Sequence, residues 1–134
     1  MHKETIIYVD YNGTERTEDH FFNFTKAELT EMQLGTTGGL AEMIQNIVNA
    51  QDVPALIKIF KDIILKAYGQ KSPDGKRFIK SKELCDEFSQ TEAYSQLFMK
   101  LAFDSDAAAK FINNVVPADM SAELNKSNHP ALKN

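Results

Sequence analysis

The sequence predicts an α+β fold that is mostly α, with an N-terminal β-hairpin followed by a bundle of about five or six short helices. Residues 4–11 are rich in β-branched and aromatic residues, and they lead into Asn12-Gly13, a strong hairpin signal. From Thr25 onward, apolar residues recur at helical spacing. Capping and turn residues then divide the rest of the chain into short helices.

The chain length of 134 residues suits a single domain with a core of its own. We expect residues 1–117 to form that domain, with the hairpin at 4–24 and the helices at 26–117. Residues 118–134 are polar and aperiodic, which predicts a flexible C-terminal tail.

In the hairpin, the second β-compatible stretch runs from Thr14 to Phe24. Its first half is polar on both faces and its end is apolar. We therefore expect the base of the hairpin to pack on the helices and its tip to project into solvent or toward a partner. A two-residue loop and a bulged three-residue loop are both compatible with Asn12-Gly13.

The first half of the helical region contains three helices. Thr25 and Glu28 form a capping box for the first, which ends by Leu34-Gly35. The second begins near Gly38-Gly39. The third is capped by Asp52 and stopped by Gly69; it carries the widest apolar stripe and is predicted to be the central core helix.

In the second half, Ser72-Pro73-Asp74-Gly75 predicts a turn and residues 77–79 a short extended segment. Three more helices follow, and the last one ends before Pro117. Their predicted caps are Ser81, then Ser89 or Thr91, and Asp104.

Composition excludes several classes of protein. The net charge of −4 gives no overall attraction to nucleic acid or anionic lipid. No apolar run approaches the roughly 20 residues that span a bilayer, and the N-terminus lacks the features of a secretion signal. A single cysteine, Cys85, cannot form an internal disulfide, which suits a reducing cytoplasm.

No catalytic, metal or cofactor pattern is present, and we expect no cofactor. His2, His20 and His129 have no second ligand at helical spacing. Cys85 has no neighbouring His or Lys to lower its pKa, which favours a structural thiol. The carboxylate pairs fall at helix caps and on polar helix faces, and an enzyme is therefore the least favoured class.

Four segments of the chain resemble the tail assembly chaperones of long-tailed bacteriophages of the siphovirus type. The matching segments are IIYVDYNGTERTEDHFFNFTKAEL, YGQKSPDGKRFIKS, QTEAYSQLFMKL and DAAAKFINNVVP. Together they cover roughly residues 3–120.

The resemblance implies a non-enzymatic helper that binds the tape measure protein, keeps it soluble and helps tail tube subunits assemble around it. It implies action in the host bacterial cytoplasm and absence from the mature virion. From charge and composition we also expect self-association into a homo-oligomer, with neither nucleic acid nor membrane as a partner. Such families commonly make a longer form by translational frameshifting, and this chain would be the shorter form.

A chaperone of this kind needs apolar surface that a client helix can cover reversibly. The candidate partner-binding residues are those whose apolar side chains exceed what one core requires: Phe21, Phe22, Phe98, Met99, Phe103, Phe111 and Val116. Met99 and Phe103 are the best surface positions, because they fall off the Leu97–Leu101 stripe.

The charges of the second half are asymmetric, with a basic stretch at residues 70–82 and an acidic one at residues 83–106. This pattern suits head-to-tail self-association. It is equally consistent with a solvated loop beside a solvated acidic face. The candidate self-association residues are Lys71, Lys76, Arg77, Lys80, Asp86 and Glu87.

The alternative function is a small helix-turn-helix DNA-binding regulator, built from the two predicted helices at Ser81–Phe88 and Thr91–Leu101. However, the second of these helices has one Lys, one Glu and no Arg. Phosphate contacts need cations on the recognition helix, so this alternative is disfavoured.

Overall fold

The computed structural model describes residues 1–32, 42–43, 45–46 and 49–117. The described elements are β1 His2–Val9, β2 Glu15–Phe22, α1 Lys26–Glu31, α2 Val53–Ala67, β3 Tyr68–Lys71, β4 Phe78–Ile79, α3 Lys82–Ser89, α4 Glu92–Phe103 and α5 Ser105–Val115. Residues 42, 43, 45, 46 and 49 are also helical. The predicted class, α+β and mostly α with an N-terminal hairpin followed by about five helices, is confirmed.

The hairpin pairs β1 with β2 in antiparallel register along the whole length of both strands. Its loop has three residues, because the Asp10 N–H donates to the Thr14 carbonyl oxygen at 2.9 Å. Gly13 adopts a φ of 82°, which a residue with a side chain rarely tolerates. Of the two loops compatible with the sequence, the three-residue one is observed.

The sheet has four strands in the order β1-β2-β3-β4, so the predicted two-stranded ribbon was incomplete. The third predicted helix ends at Ala67, and the chain passes directly into β3 at Tyr68. Gly69 does not stop that helix; it lies within β3 and pairs with Phe21 on β2. The available edge of β2 gives this segment its extended conformation, which local sequence does not encode.

The predicted helix caps are confirmed, and Thr91, rather than Ser89, begins α4. Each cap accepts a backbone N–H three residues later at 3.0–3.1 Å: Thr25, Asp52, Ser81, Thr91 and Asp104. Helix α1 is described as far as Glu31. The predicted end at Leu34-Gly35 and the start at Gly38-Gly39 lie outside the described residues, as does the predicted tail at 118–134.

The turn between β3 and β4 follows the predicted Ser-Pro-Asp-Gly chemistry. The Ser72 N–H donates to the Arg77 carbonyl oxygen at 2.9 Å, and Gly75 has a φ of 75°. The Ser72 hydroxyl donates to the Asp74 carboxylate at 2.6 Å. These contacts orient the short strand β4, which begins at Phe78, against β3.

The core lies between one face of the sheet and the helices. Among the described elements, α4 contacts β1, α2, α3 and α5, so α4 rather than α2 is the central helix. The Phe24 N–H donates to the Val115 carbonyl oxygen at 2.8 Å, which ties the end of the hairpin to the last helix. The largest fully buried side chains are Phe22, Phe24, Leu29, Ile64, Leu97, Leu101, Phe111 and Val115.

Candidate functional site

Helix α4 presents two apolar side chains to solvent. Its period directs Leu97 and Leu101 into the core and places Met99 and Phe103, four residues apart, on the other side. The Met99 side chain is 50% exposed and Phe103 is 80% exposed. We call these two residues the α4 apolar pair. Their exposure agrees with the sequence argument that they fall off the apolar stripe.

Three of the other predicted partner-binding residues, Phe22, Phe111 and Val116, are buried in the core, and this corrects their assignment to an accessible surface. The rings of Phe22 and Phe111 are 5.3 Å apart between centroids. The end of β2 thus contacts the last helix, a long-range contact that sequence periodicity does not reveal.

The remaining two candidates, Phe21 and Phe98, are half-buried. Phe98 lies 6.1 Å from the ring of Tyr94. The Phe21 ring is covered by the Lys71 ammonium group, 4.3 Å from the ring centroid. Both residues border exposed surface without being central to it.

The sequence argument missed apolar surface elsewhere. On β1, Ile7 and Val9 point away from the helices and are exposed, as is Tyr11 at the hairpin tip. Val53 and Ile57 are exposed in the first half of α2. The adjacent pair Ile6-Ile7 hid the alternation of β1, whose buried positions are His2, Ile6 and Tyr8. Ile7 is uncovered because its side chain lies on the face of the sheet opposite the helices.

Lys80, predicted to take part in self-association, is instead an internal clamp. Its ammonium group donates to the Asn23 carbonyl oxygen and to the Glu28 carboxylate, both at 2.6 Å. It also lies 4.9 Å from the centroid of the Phe24 ring. Lys80 therefore joins the end of the hairpin to α1 and the β4–α3 link, and is not free for another subunit.

The other predicted self-association residues are on the surface. Lys71, Lys76, Arg77, Asp86 and Glu87 are all exposed. Asp86 has an intramolecular partner, the Lys82 ammonium group at 3.1 Å, one turn earlier on α3. Their role in self-association stays a prediction.

A polar cluster fastens the start of β1 to the helices. The His2 ring Nε2 lies 2.7 Å from the Glu4 carboxylate, and its Nδ1 lies 3.1 Å from the Asn114 amide on α5. The Lys100 ammonium group on α4 donates to Glu4 at 3.3 Å. Burial by itself would raise the pKa of Glu4, but His2 and Lys100 outweigh it and the pKa is lowered from 4.5. This cluster sets the position of the sheet edge.

A cleft of about 480 Å³ opens between β2 and β3, where the two strands diverge after pairing at Phe21 and Phe22. His20 lines this cleft, with its ring 5.1 Å from Phe88 between centroids. Burial lowers the pKa of His20 below 6.5, although the nearby Glu18 carboxylate acts in the opposite direction. His20 is therefore held in its neutral form at neutral pH.

We expect stability to fall in two steps as the solution is acidified. The unfolded chain takes up a proton on His20 first, so the free energy of unfolding decreases as pH falls through 6.5. The lowered pKa values of Glu4 and Glu28 add a second loss below about 4.5. Urea unfolding from about pH 8 to about pH 3 measures both steps, because His20 accounts for the loss near pH 6.5 and the two carboxylates for the loss below about 4.5.

His20→Phe is the matched variant, because a phenyl ring keeps the contacts with Phe88 and Tyr68 but cannot titrate. It should abolish the first step and keep the second. Identical pH profiles of the variant and the natural protein above the carboxylate range would refute the role given to His20.

Within the described part of the chain, no group of three or more His, Cys, Asp or Glu side chains could hold a metal ion. The Cys85 thiol donates to the Leu65 carbonyl oxygen at 2.7 Å, and burial raises its pKa, as expected for a structural thiol. No helix of the described residues is long and apolar enough to cross a membrane.

The geometry of α3 and α4 does not favour DNA binding. The only lysine of α4, Lys100, is directed to Glu4 on β1. The exposed side of α4 carries Met99 and Phe103, and its one cation is paired with Glu4. A recognition helix needs cations to contact phosphates, so this surface suits an apolar partner better.

Comparison with known proteins adds one finding. A family model described as phage tail assembly chaperone matches residues 1–134. No curated protein and no solved structure matches the chain significantly.

Proposed function

Because the chain belongs to the family of phage tail assembly chaperones, matched over residues 1–134, we propose that it binds the tape measure protein of its phage. The family's role is non-enzymatic. In this proposal the chain keeps the tape measure protein soluble and promotes assembly of tail tube subunits around it. It acts in the host cytoplasm and is absent from the finished virion.

The observation that carries the proposal is the α4 apolar pair. Monomeric proteins expose single apolar residues routinely, but Met99 and Phe103 share one helix face at a spacing of four. Phe103 is the most exposed of the large apolar side chains that the structure describes. An aromatic residue beside a flexible methionine suits a client whose apolar sequence varies along its length.

The form of the proposed contact follows from the geometry of α4. An amphipathic segment of a tape measure helix would lie along the exposed side of α4 and cover both side chains of the pair. The neighbouring exposed residues Ser95 and Gln96 would form part of a polar rim. Such a contact is small and reversible, as a chaperone that must release its client requires.

The test is co-expression with the tape measure protein of the same phage. The change Met99→Ser with Phe103→Ser should weaken the complex by at least about tenfold, because burial of even one large apolar side chain contributes about 1.5–3 kcal/mol. The amount of soluble tape measure protein should fall in parallel. Because both side chains are exposed, the melting temperature of the chaperone alone should change little.

Val53→Ser with Ile57→Ser is the matched control, since it removes another exposed apolar pair at the same spacing from α2. This control should leave client binding intact. Equal loss of binding in the two double variants would show that the contact is not specific to α4. If the natural chain neither co-purifies with the tape measure protein nor raises its solubility, the proposed function is wrong.

A further inference from the structure

The outer edge of β1 carries backbone groups that no described residue satisfies. The Asp10 N–H donates to the Thr14 carbonyl oxygen, so these two residues form a hydrogen-bonded pair of the ladder. Hydrogen-bonded and non-bonded pairs alternate along antiparallel strands. The even-numbered residues of β1 therefore bond to β2, and the odd-numbered ones direct their N–H and C=O groups away from it: Lys3, Thr5, Ile7 and Val9.

Beyond Lys3 and the inward-pointing Glu4, this edge has little of the usual protection against strand addition. Natural proteins shield an edge strand with bulges, proline, several charges or a covering element. Here β1 pairs with β2 over eight residues without a bulge, and Ile7 and Val9 are exposed on its outer face. Of the four edge-directed residues, only Lys3 is charged. We propose that a second copy of this chain adds to β1 through the same strand, in antiparallel orientation.

The distribution of charge along the hairpin favours a second copy of the chain as the partner of β1, and it favours antiparallel pairing. At the start of β1, a hollow of about 270 Å³ is lined by the Met1 residue and by Lys3, Glu4, Lys100, Lys110 and Asn114. Three lysines there face one carboxylate. The other end of the hairpin is acidic, with Asp10 and Glu15 against Arg16. Antiparallel pairing brings the basic end of each copy to the acidic end of the other, whereas parallel pairing would oppose Lys3 to Lys3.

The register follows from the same residues. Full overlap of the edge-directed residues pairs Lys3 with Val9 of the second copy and Thr5 with Ile7 of the second copy. Val9 is adjacent to Glu15 on β2, so the Lys3 ammonium group can extend across Val9 to the Glu15 carboxylate of the second copy. A shift of the register by two residues in one direction would place Glu4 opposite Asp10 of the second copy, and these like charges repel each other. A shift by two residues in the other direction would leave Val9 without a strand residue opposite it.

The pairing would join two sheets into one and remove both exposed edges at once. Such an isologous contact is closed, so it yields a dimer and not a filament. It is separate from the α4 apolar pair, which lies on another element, and it does not depend on the proposed client.

Disulfide trapping tests the register. In a Cys85→Ser background, which keeps a hydroxyl donor for the Leu65 carbonyl, Thr5→Cys and Ile7→Cys are made as separate proteins and mixed under mild oxidation. Because Thr5 faces Ile7 of the second copy, the mixture should give the heterodimer, and each protein alone should give much less cross-linked product. Cross-linking that is equal in all three samples would overturn the register.

Sedimentation velocity over a range of protein concentrations tests whether the edge of β1 forms the dimer interface. The variant Ile7→Lys should raise the dimer dissociation constant by about tenfold or more. Its matched control, Ile57→Lys, alters an apolar residue of similar exposure on α2 and should leave the constant unchanged.

Lys3→Glu and Glu15→Lys should each weaken the dimer, and the double variant should recover it. A natural protein that stays monomeric at every concentration, or equal effects of Ile7→Lys and Ile57→Lys, would overturn the proposal.

Discussion

Replacing Phe22 by alanine should lower the free energy of unfolding by about 3–5 kcal/mol, as expected for a fully buried phenylalanine. The Phe22 side chain is 0% exposed. Its ring lies 5.3 Å from that of Phe111 and 5.8 Å from those of Tyr68 and Phe88, between centroids. Truncation would leave a cavity where β2, β3, α3 and α5 meet, and rigid strands cannot close it.

Urea unfolding followed by circular dichroism measures this loss, with Phe103→Ala as the matched control. Phe103 is the same residue type but is 80% exposed, so its truncation should change stability by no more than about 0.5 kcal/mol. A Phe22→Ala protein as stable as the natural one would contradict the described core. The comparison also matters for function, because loss of client binding in Phe22→Ala would report unfolding and not a lost contact.

Replacing Gly69 by alanine should destabilise the protein by about 1–3 kcal/mol through overpacking. A Cβ at this position would lie 2.7 Å from Cε2 of Phe78 and 2.8 Å from the carbonyl oxygen of Ile79. The Phe78 ring could rotate, but the Ile79 oxygen belongs to the backbone of β4, which pairs with β3. The sheet would have to separate by several tenths of an ångström at this point.

Whether Gly69→Ala raises or lowers the stability tests the close approach of β3 and β4. Without the close contacts, alanine would stabilise the protein by about 0.4–1 kcal/mol, because it reduces the entropy of the unfolded chain. Thermal unfolding of Gly69→Ala alone and combined with Phe78→Leu separates the two contacts. The shorter leucine should relieve the ring contact and restore part of the loss, while the Ile79 contact remains. A stabilised single variant would refute the close approach of β3 and β4.

Much of the fold was predictable because helix starts are local. A capping side chain needs only the N–H groups of the next turn, and Thr25, Asp52, Ser81 and Asp104 therefore act as the sequence indicates. The same holds for the turn at Ser72–Gly75, where proline and glycine restrict the backbone directly.

Strand β3 was not predictable in this way. Its four residues, Tyr68 to Lys71, follow an apolar helix without a turn signal, and the helical stripe includes Tyr68. Their extended form depends on pairing with β2, more than forty residues earlier in the chain. Sheet pairing at such separation leaves no periodic signal within the segment itself.

The candidate surfaces also differ in whether local sequence or long-range contacts determine their exposure. The exposure of Met99 and Phe103 follows from the helical period of α4, a property of twelve consecutive residues. The burial of Phe22, Phe111 and Val116 depends on which elements meet, and so do the clamp formed by Lys80 and the open edge beside Ile7. The amino-acid sequence alone thus determined where helices begin, which of their faces are apolar and, through resemblance, the family. Only the tertiary structure decided which apolar and charged groups are covered, because that depends on contacts between residues far apart in the chain.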